Sequence, residues 1–448
     1  MTYIPNTDAN RQSMMSTLGI KSVEDLLTII PDDVRIAWPL NLPPSLSELE
    51  LHDIIGEMAA RNDSADKMIS FVGGGMYDHF VPSAISHLAG RSEFLTSYTP
   101  YQPEVSQGTL QGIYEFQTMI CELTGLDVAN ASMYDGASAA AEAVLLARGT
   151  THRNHVILAG SLHPHYSETI RTYAHGHKIE VETLPCSEEG TIDPEKLISQ
   201  ISENTACIVI QHPNFFGCLE SMRTLEEIVH NAGALLVMVV DPISLGIIES
   251  PGAYGADIAV GEGQSMGNQV NFGGPALGFF AAKERFIRRM PGRIAGKTID
   301  RENREGFVLT LQAREQHIRR DKATSNICTS QQLNALMATI YLSLIGKQGL
   351  QEIGELCLHK SHYAAEKIAE LPNYDLVFKK PFFKEFVIRT PTDTGHLIKK
   401  LAEKQILGGI NLNQFPSLGI KNGLLISITE RRTRPQIDQL VEVLNQLN

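Results

Sequence analysis

The chain has 448 residues, of which 43% are hydrophobic and 20% charged, a composition typical of a soluble globular enzyme. This length allows a large buried core that splits into two lobes. The 51 acidic residues outnumber the 38 basic ones, and the net charge of −13 argues against nucleic acid or an anionic membrane as the main partner.

The first residues lack the charged-then-apolar order of a signal peptide, and no apolar segment approaches the roughly 20 residues of a membrane helix. The six cysteines are scattered without a Cys-x-x-Cys pair, and most of them fall inside apolar patterns. Reduced core cysteines have this distribution. We therefore expect a cytoplasmic protein.

Residues 1–65 predict a helical and extended arm. Ser22 begins a short amphipathic helix, and Ser47 begins a second helix, with capping-box spacing, that continues to Ala60. Between them, the prolines from Pro39 to Pro44 predict an extended segment that lies over another surface.

Residues 71–79 form a glycine-rich element around Gly73, Gly74 and Gly75. A phosphate-binding loop is one interpretation, but the spacing fits neither the dinucleotide-binding pattern nor the P-loop. A tight approach to the backbone, which glycine permits, is the favoured interpretation.

Residues 94–104 form an irregular segment that is rich in aromatic residues and proline. It leads into a helix with apolar residues at helical spacing and Gly125 as the cap. Tyr98, Tyr101 and Gln102 allow two interpretations: they pack within the chain, or the loop reaches an active-site mouth at a subunit boundary.

Residues 132–138 precede an alanine-rich helix that continues to Gly149. Gly136, Ala137 and Ser138 offer small side chains and a hydroxyl at a helix N-terminus, which suits a phosphate anchor. Asp135 and Ser138 are equally good plain N-caps, and the sequence by itself favours the cap.

Six histidines lie between His152 and His177. Their spacing matches no helical pair four residues apart, so a metal site is disfavoured. His163 and His165 follow a strand end, where one of them is a candidate to stack over a pocket.

Predicted strands at residues 156–159, 179–184 and 207–211 alternate with helices, including one at 224–231 with a capping-box start. This alternation predicts a mostly parallel sheet. The apolar run at 234–240 predicts a strand buried on both faces. Asp241 follows it, so a carboxylate lies at the carboxyl end of a central strand, where open α/β sheets bind ligands.

The last third of the chain predicts a second lobe. Residues 291–306 are interpreted as the crossing, and the mixed charge at 310–322 as a solvated face or an arginine that binds a carboxylate. Helices at 330–345 and 349–370, then short strands and helices, predict a small α+β lobe. The domains expected are therefore the arm at 1–65, a large α/β domain at 66–295 and a small domain at 296–448.

The order of a strand at 234–240, Asp241, a short strand at 255–260 and a loop at 261–268 resembles pyridoxal-phosphate (PLP) enzymes. The resemblance implies a type I, aspartate-aminotransferase-like fold, in which the Asp pairs with the pyridine nitrogen and the loop carries the Schiff-base lysine. No lysine occurs between Lys196 and Lys283, and Ser265 stands at about the lysine's position. A hydroxyl cannot form an imine, so Asp241, Gly136, Ala137, Ser138 and Ser265 form a vestigial pocket.

Long motifs at residues 71–79, 98–108, 131–137, 272–275, 307–320 and 322–328 resemble one family, the alpha subunit of the two-subunit glycine decarboxylase P-protein. The resemblance implies an oxidoreductase that decarboxylates glycine and transfers the aminomethyl group to the lipoyl arm of the H-protein. It further implies that PLP is bound by a partner beta subunit, in a heterotetramer of two chains of each kind. Tyr98, Tyr101 and Gln102 would then lie at the interface or complete the partner's pocket.

Two alternatives stay open. A self-sufficient PLP enzyme would need another lysine, such as Lys283 or Lys297, and Lys283 is poorly placed because it follows a strand and begins a surface helix. A pure scaffold subunit would bind the partner without contributing to the pocket.

Overall fold

A computed structural model describes residues 6–36, 41–64, 66–271 and 273–447. Pro39 of the proline segment and Phe272 of the family motif at 272–275 lie outside these ranges. The chain divides into two compact units, Met1–Asp63 and Ser64–Asn448.

The first unit contains helices α1 (Asp8–Leu18) and α2 (Glu48–Ala60), neither of which buries a residue. The Ser47 hydroxyl accepts a hydrogen bond from the Glu50 N–H at 3.3 Å, and the Glu50 carboxylate accepts the Ser47 N–H at 2.8 Å. This reciprocal pair confirms the predicted capping box. The helix predicted after Ser22 is a short 3₁₀ turn, Val23–Leu27.

The helices of the second unit are α3 (Ser83–Ala89), α4 (Ser92–Leu95), α5 (Gln107–Thr124), α6 (Gly136–Thr151), α7 (Pro164–Gly176), α8 (Pro194–Gln200), α9 (Met222–Asn231), α10 (Gln316–Arg319), α11 (Gln332–Ala369), α12 (Thr394–Glu403) and α13 (Arg434–Gln446). Its strands are β1 (Ile69–Ser70), β2 (Val128–Ala129), β3 (His155–Ala159), β4 (Glu180–Leu184), β5 (Thr205–Gln211), β6 (Leu235–Val239), β7 (Ile258–Glu262), β8 (Gly278–Ala282), β9 (Ile294–Ile299), β10 (Glu305–Thr310), β11 (Asp375–Leu376), β12 (Glu385–Arg389), β13 (Ile406–Leu407), β14 (Ile410–Asn411) and β15 (Gly423–Ser427).

The main core surrounds a large sheet, which contains seven strands in the described residues, in the order β2-β8-β7-β6-β5-β3-β4. Strands β3 to β7 are parallel, and β8 is antiparallel to both of its neighbours. Every residue of β6 is buried, as its apolar run predicts. The structure thus confirms the α/β alternation, the mostly parallel sheet and the central position of the strand before Asp241.

A four-stranded antiparallel sheet, counted over the described residues, has the order β11-β12-β15-β14. It packs with α12, α13 and part of α11 around a separate apolar cluster that includes Phe386, Ile426 and Leu440. Helix α11 spans both predicted helices and is interrupted at Gly346, whose φ of +59° is not helical. Among the described residues, none of the helices is both long enough and apolar enough to cross a membrane.

Two local predictions are wrong. Helix α9 begins at Met222 after Ser221, so Thr224 lies inside the helix rather than at a capping box, because Met222 and Leu225 are both buried against the core. Residues 291–306 do not form a simple crossing. They contribute to the β9–β10 hairpin, which packs on α5, where the Gln117 side chain hydrogen-bonds both backbone groups of Ala295.

Candidate functional site

The candidate site lies where the carboxyl ends of β6 and β7, the N-terminus of α6 and the start of β12 meet. Asp241 comes just after β6, and its Oδ2 lies 2.7 Å from the Nζ of Lys384, which directly precedes β12. The Lys384 side chain is only 2% exposed and that of Asp241 11%. The carboxylate at the end of the central strand is therefore already paired with an internal cation.

Two further groups contact the ammonium group of Lys384, and a third, Glu430, contacts one of them. Its Nζ lies 3.0 Å from His79 Nε2 and 3.4 Å from the centre of the Tyr77 ring, close enough for a cation–π interaction. His79 Nδ1 lies 2.6 Å from a carboxylate oxygen of Glu430. Because Lys384 can only donate, His79 Nε2 accepts and its Nδ1–H donates to Glu430.

The neighbouring Glu385 explains the glycine-rich element. One oxygen of its buried carboxyl accepts the Gly74 N–H at 2.7 Å, and the other accepts the Tyr77 hydroxyl at 2.8 Å. A Cβ on Gly73 would lie 2.4 Å from this carboxyl, and Gly74 has a φ of +68°. Burial raises the pKa of Glu385 to about 7. The interpretation of residues 71–79 as a close backbone approach is confirmed.

The N-terminus of α6 holds two carboxylates of the chain itself. Asp135 accepts the Ser138 N–H at 2.7 Å as an N-cap. Glu262, the last residue of β7, accepts the Gly136 N–H at 3.0 Å, and its other oxygen accepts the N–H groups of Leu277 at 2.6 Å and Gln264 at 3.1 Å. The plain-cap interpretation of Asp135 is therefore confirmed, and a second acid occupies the same helix end.

Gly136 and Tyr166 leave little space at the N-terminus of α6. A Cβ on Gly136 would lie 2.0 Å from the Tyr166 hydroxyl, so only glycine fits there. Ala137 follows it and is half-buried in the first turn of α6. Burial raises the pKa of Tyr166 well above its usual value, so its hydroxyl stays protonated.

Ser265 lies in the loop after β7 and is 3% exposed. Its hydroxyl is buried and has no hydrogen-bond partner among the described residues. The preceding residue, Gln264, fixes this loop against the glycine-rich element, since its side-chain oxygen accepts the Tyr77 N–H at 2.9 Å. Ser265 is thus close to the residues that surround Lys384.

His163 is the member of the histidine group that packs into this region. Its Nε2 lies 2.8 Å from the Gly74 carbonyl, its Nδ1 accepts the His165 N–H at 3.1 Å, and its ring lies 4.6 Å from that of Phe215. Burial lowers the pKa of His163 to about 4, so the ring is neutral. The described residues contain one group with metal-ligand geometry, His79, Cys357 and Glu430, and the Lys384 ammonium lies against its histidine.

Tyr98, Tyr101 and Gln102 lie away from these contacts on the surface. Tyr98 is 76% exposed and Tyr101 51% exposed, and Gln102 is also exposed. The buried Arg293 orients Tyr101: its Nη2 donates to the hydroxyl at 2.8 Å, and its guanidinium lies 5.2 Å from the ring centre. The loop therefore presents on the surface one ring oriented by Arg293, that of Tyr101, and one largely exposed ring, that of Tyr98.

Asp241 and Ser265 follow the neighbouring strands β6 and β7, and Gly136, Ala137 and Ser138 begin α6, whose first N–H is bonded by Glu262 at the end of β7. Lys384 and Glu262 are not among the site residues predicted from the sequence. Glu262 had a usable signal, because it ends a strand next to the one that ends before Asp241. Lys384 had none, since it lies far along the chain from Asp241 and directly precedes β12 of the other sheet.

The model of the glycine cleavage system P-protein family matches residues 1–444. A protein of Chloroherpeton thalassium, called probable glycine dehydrogenase (decarboxylating) subunit 1, is 51% identical over 447 residues, covering 100% of both chains. A protein of the same name from Carboxydothermus hydrogenoformans is 52% identical over 445 residues, covering 99% of both chains.

Solved structures give the same result for the fold. A crystal structure of a glycine decarboxylase (P-protein) of the glycine cleavage system, in inhibitor-bound form, has a TM-score of 0.91 and 42% identity, covering 100% of both chains. A sphingosine-1-phosphate lyase from Burkholderia pseudomallei has a TM-score of 0.67 at 15% identity, covering 93% of this chain and 94% of that one, which shows the fold alone. The type I fold of PLP-dependent enzymes is thus confirmed.

Proposed function

Because the chain belongs to the glycine cleavage system P-protein family, we propose that it is the subunit that holds no PLP and works beside a lysine-bearing partner subunit. The observation that supports this proposal is Ser265, a buried hydroxyl in the loop after β7, where the resemblance to PLP enzymes predicts the amine that binds the cofactor's aldehyde.

The rest of the site does not fit PLP either. Asp241, the candidate partner of a pyridine nitrogen, is paired with Lys384, and the α6 N-terminus, the candidate phosphate site, holds Asp135 and Glu262. The lysines of the self-sufficient alternative are also engaged. Lys283 donates to the buried Asp257 at 2.9 Å, and Asp257 precedes β7 whereas Glu262 ends it. Lys297 pairs with Glu305 on the β9–β10 hairpin. No step of the reaction is therefore assigned to a cofactor on this chain.

In this proposal the partner beta subunit binds PLP, and the complex decarboxylates glycine and passes the aminomethyl group to the lipoyl arm of the H-protein. Two chains of each kind form the assembly. The chain is divided into the arm at 1–65, the large domain at 66–295 and the small domain at 296–448.

The contribution of this chain to the partner's pocket is assigned to the loop that carries Tyr98, Tyr101 and Gln102. Exposed aromatic rings on a stiff loop are typical of protein interfaces, where they supply contact area at a low cost in conformational entropy. The contact with Arg293 supports this role for Tyr101, because a ring that is oriented before association loses less freedom on binding.

The test is reconstitution from separately purified chains. This chain and a lysine-bearing chain of the same fold are mixed, and association is measured by sedimentation. Release of carbon dioxide from glycine is measured with the H-protein present. We expect activity from the mixture that neither chain has alone. Full activity of the lysine-bearing chain alone, or two chains that never associate, would contradict the proposal.

The loop is tested in the same assay. Removing either ring, in Tyr98→Ala or Tyr101→Ala, should reduce the activity of the complex at saturating H-protein. This chain should keep its melting temperature in Tyr98→Ala, whereas Tyr101→Ala should lower it because the buried Arg293 loses its partner. Ile198→Ala, which truncates a side chain that is 60% exposed elsewhere, is the matched control. Loop variants as active as this control would favour a scaffold role.

A further inference from the structure

PLP in a type I fold is anchored at three points: an amine bonds its aldehyde, a carboxylate pairs with its ring nitrogen, and helix N–H groups bind its phosphate. We infer that this chain fills the second and third points with its own side chains, Lys384 in place of the ring nitrogen and Glu262 in place of the phosphate. These two side chains thereby keep the cofactor out of this subunit. The inference rests on the proposed function and names what excludes PLP.

Lys384 occupies the position that a protonated ring nitrogen requires. Its ammonium lies 2.7 Å from Asp241 Oδ2 and forms an ion pair with it, although this buried oxygen accepts no hydrogen bond from the described residues, and it also contacts His79 and the Tyr77 ring. To pair with Asp241, a cofactor would have to displace an ammonium that is almost fully buried. The displaced charge would then lose its carboxylate inside the protein, which is strongly unfavourable.

Glu262 occupies the position that a phosphate requires. Its two oxygens together accept three backbone N–H groups, including that of Gly136 in the first turn of α6. A negative group at a helix N-terminus is stabilised by the partial positive charge there. Burial raises the pKa of Glu262 to about 7, so near neutral pH its carboxyl is only partly ionised, but its oxygens still occupy the three N–H donors. An incoming phosphate would find these donors used and would face the Asp135 carboxylate at the same helix end, so its binding would be opposed.

Tyr166 links the two replacements. Its buried hydroxyl lies against Gly136 at the α6 end, and the charges that raise its pKa, after burial itself, are Glu262, Asp135 and Asp241. One hydroxyl is thus within electrostatic reach of both the Asp241 end and the Glu262 end. Both replacements are therefore near one buried hydroxyl.

The test adds the missing amine and then removes the two internal charges. Three variants of the full chain are compared: Ser265→Lys, Ser265→Lys with Lys384→Met, and the triple variant that also carries Glu262→Ala. Each is mixed with PLP, imine absorbance is recorded, and borohydride reduction followed by peptide mapping locates any adduct. Ser265→Lys with Lys380→Met is the matched control, because Lys380 forms a surface pair with Glu189.

We expect no adduct at position 265 from Ser265→Lys alone or from the control. The double variant should show PLP binding, and the triple variant should bind PLP at least about tenfold more tightly than Ser265→Lys alone. Stoichiometric imine in Ser265→Lys alone would overturn the inference, as would an adduct on Lys384 in the wild type. A double or triple variant that is folded by circular dichroism yet binds no PLP would overturn it too.

The comparison of Ser265→Lys with the wild type and the double variant decides the question even if the triple variant does not fold. The readout is PLP on this chain alone. A negative result would therefore leave the proposed partnership intact, since that proposal depends on association and on activity of the mixture.

Discussion

Removing the charge of Lys384 should destabilise the protein far more than removing a surface charge. The variant Lys384→Met keeps most of the side-chain volume but leaves the Asp241 carboxylate, which is 11% exposed, without its cation. Loss of one partner of a buried ion pair typically costs about 3–5 kcal/mol, because the other charge stays in the interior uncompensated.

The expected shift in melting temperature follows from the size of the chain. At about 2.1 cal/mol/K per residue, the 448 residues give an unfolding entropy of roughly 0.9 kcal/mol/K, so each kcal/mol lowers the melting temperature by about 1 °C. The Lys384→Met variant should therefore unfold about 3–5 °C below the wild type.

A double-mutant cycle measured by scanning calorimetry isolates the pair. Asp241→Asn keeps the oxygen that accepts the Ile243 N–H at 3.1 Å and removes only the charge. The double variant with Lys384→Met has no unpaired buried charge, so it should lose at least about 2 kcal/mol less than the sum of the single variants. Lys400→Met, which breaks an exposed pair with Glu403, should cost less than about 1 kcal/mol and is the control.

A Lys384→Met variant as stable as Lys400→Met would refute the reasoning, because it would mean that Asp241 does not depend on an internal cation. Additive effects of the two single substitutions would refute it as well, since additivity implies that the groups do not interact.

Three further predictions concern pH, backbone space and the remaining lysines. Burial raises the pKa of Glu385 from 4.5 to about 7, so its carboxyl is protonated in the folded state and ionised in the unfolded state between these values. The free energy of unfolding should therefore fall as pH rises from 4.5 to 7. Glu385→Gln should reduce that fall by up to about 3 kcal/mol, measured by urea unfolding at the two pH values. An equal fall in the variant and the wild type would contradict this assignment. Gly217→Ala should prevent stable folding, because its Cβ would lie 1.8 Å from the Glu385 carbonyl oxygen. Gly19→Ala, with a similar positive φ and nothing within 4 Å of its Cβ, should cost only about 1 kcal/mol. Equal melting temperatures of the two variants would contradict the close contact at Gly217. Wild-type chain treated with PLP and borohydride should give no stoichiometric adduct on Lys283, since its ammonium is held by Asp257, and mapping of such an adduct would revive the self-sufficient alternative.

Local patterns predicted much of the fold. The all-buried β6, the capping box at Ser47 and the left-handed cap at Gly125 follow from periodicity and from residue types with narrow backbone preferences. The wrong predictions fall where tertiary packing outweighs a local signal. The start of α9 is set by burial of Met222 rather than by the acceptable cap at Thr224. The hairpin at β9–β10 depends on its contact with α5, which no short window of sequence contains.

The sequence by itself determined the family, the α/β fold and the absence of any lysine between Lys196 and Lys283. Residue identity and short-range periodicity are properties of the linear chain, so Ser265 and the strand before Asp241 could be identified from the sequence. Only the tertiary structure decided what Asp241 and the α6 N-terminus contact. The start of β12 carries Lys384 to Asp241, and β7 carries Glu262 to Gly136, because separate elements pack at one edge of the sheet. Burial there makes unpaired charges costly, so each must meet a partner from a distant part of the chain.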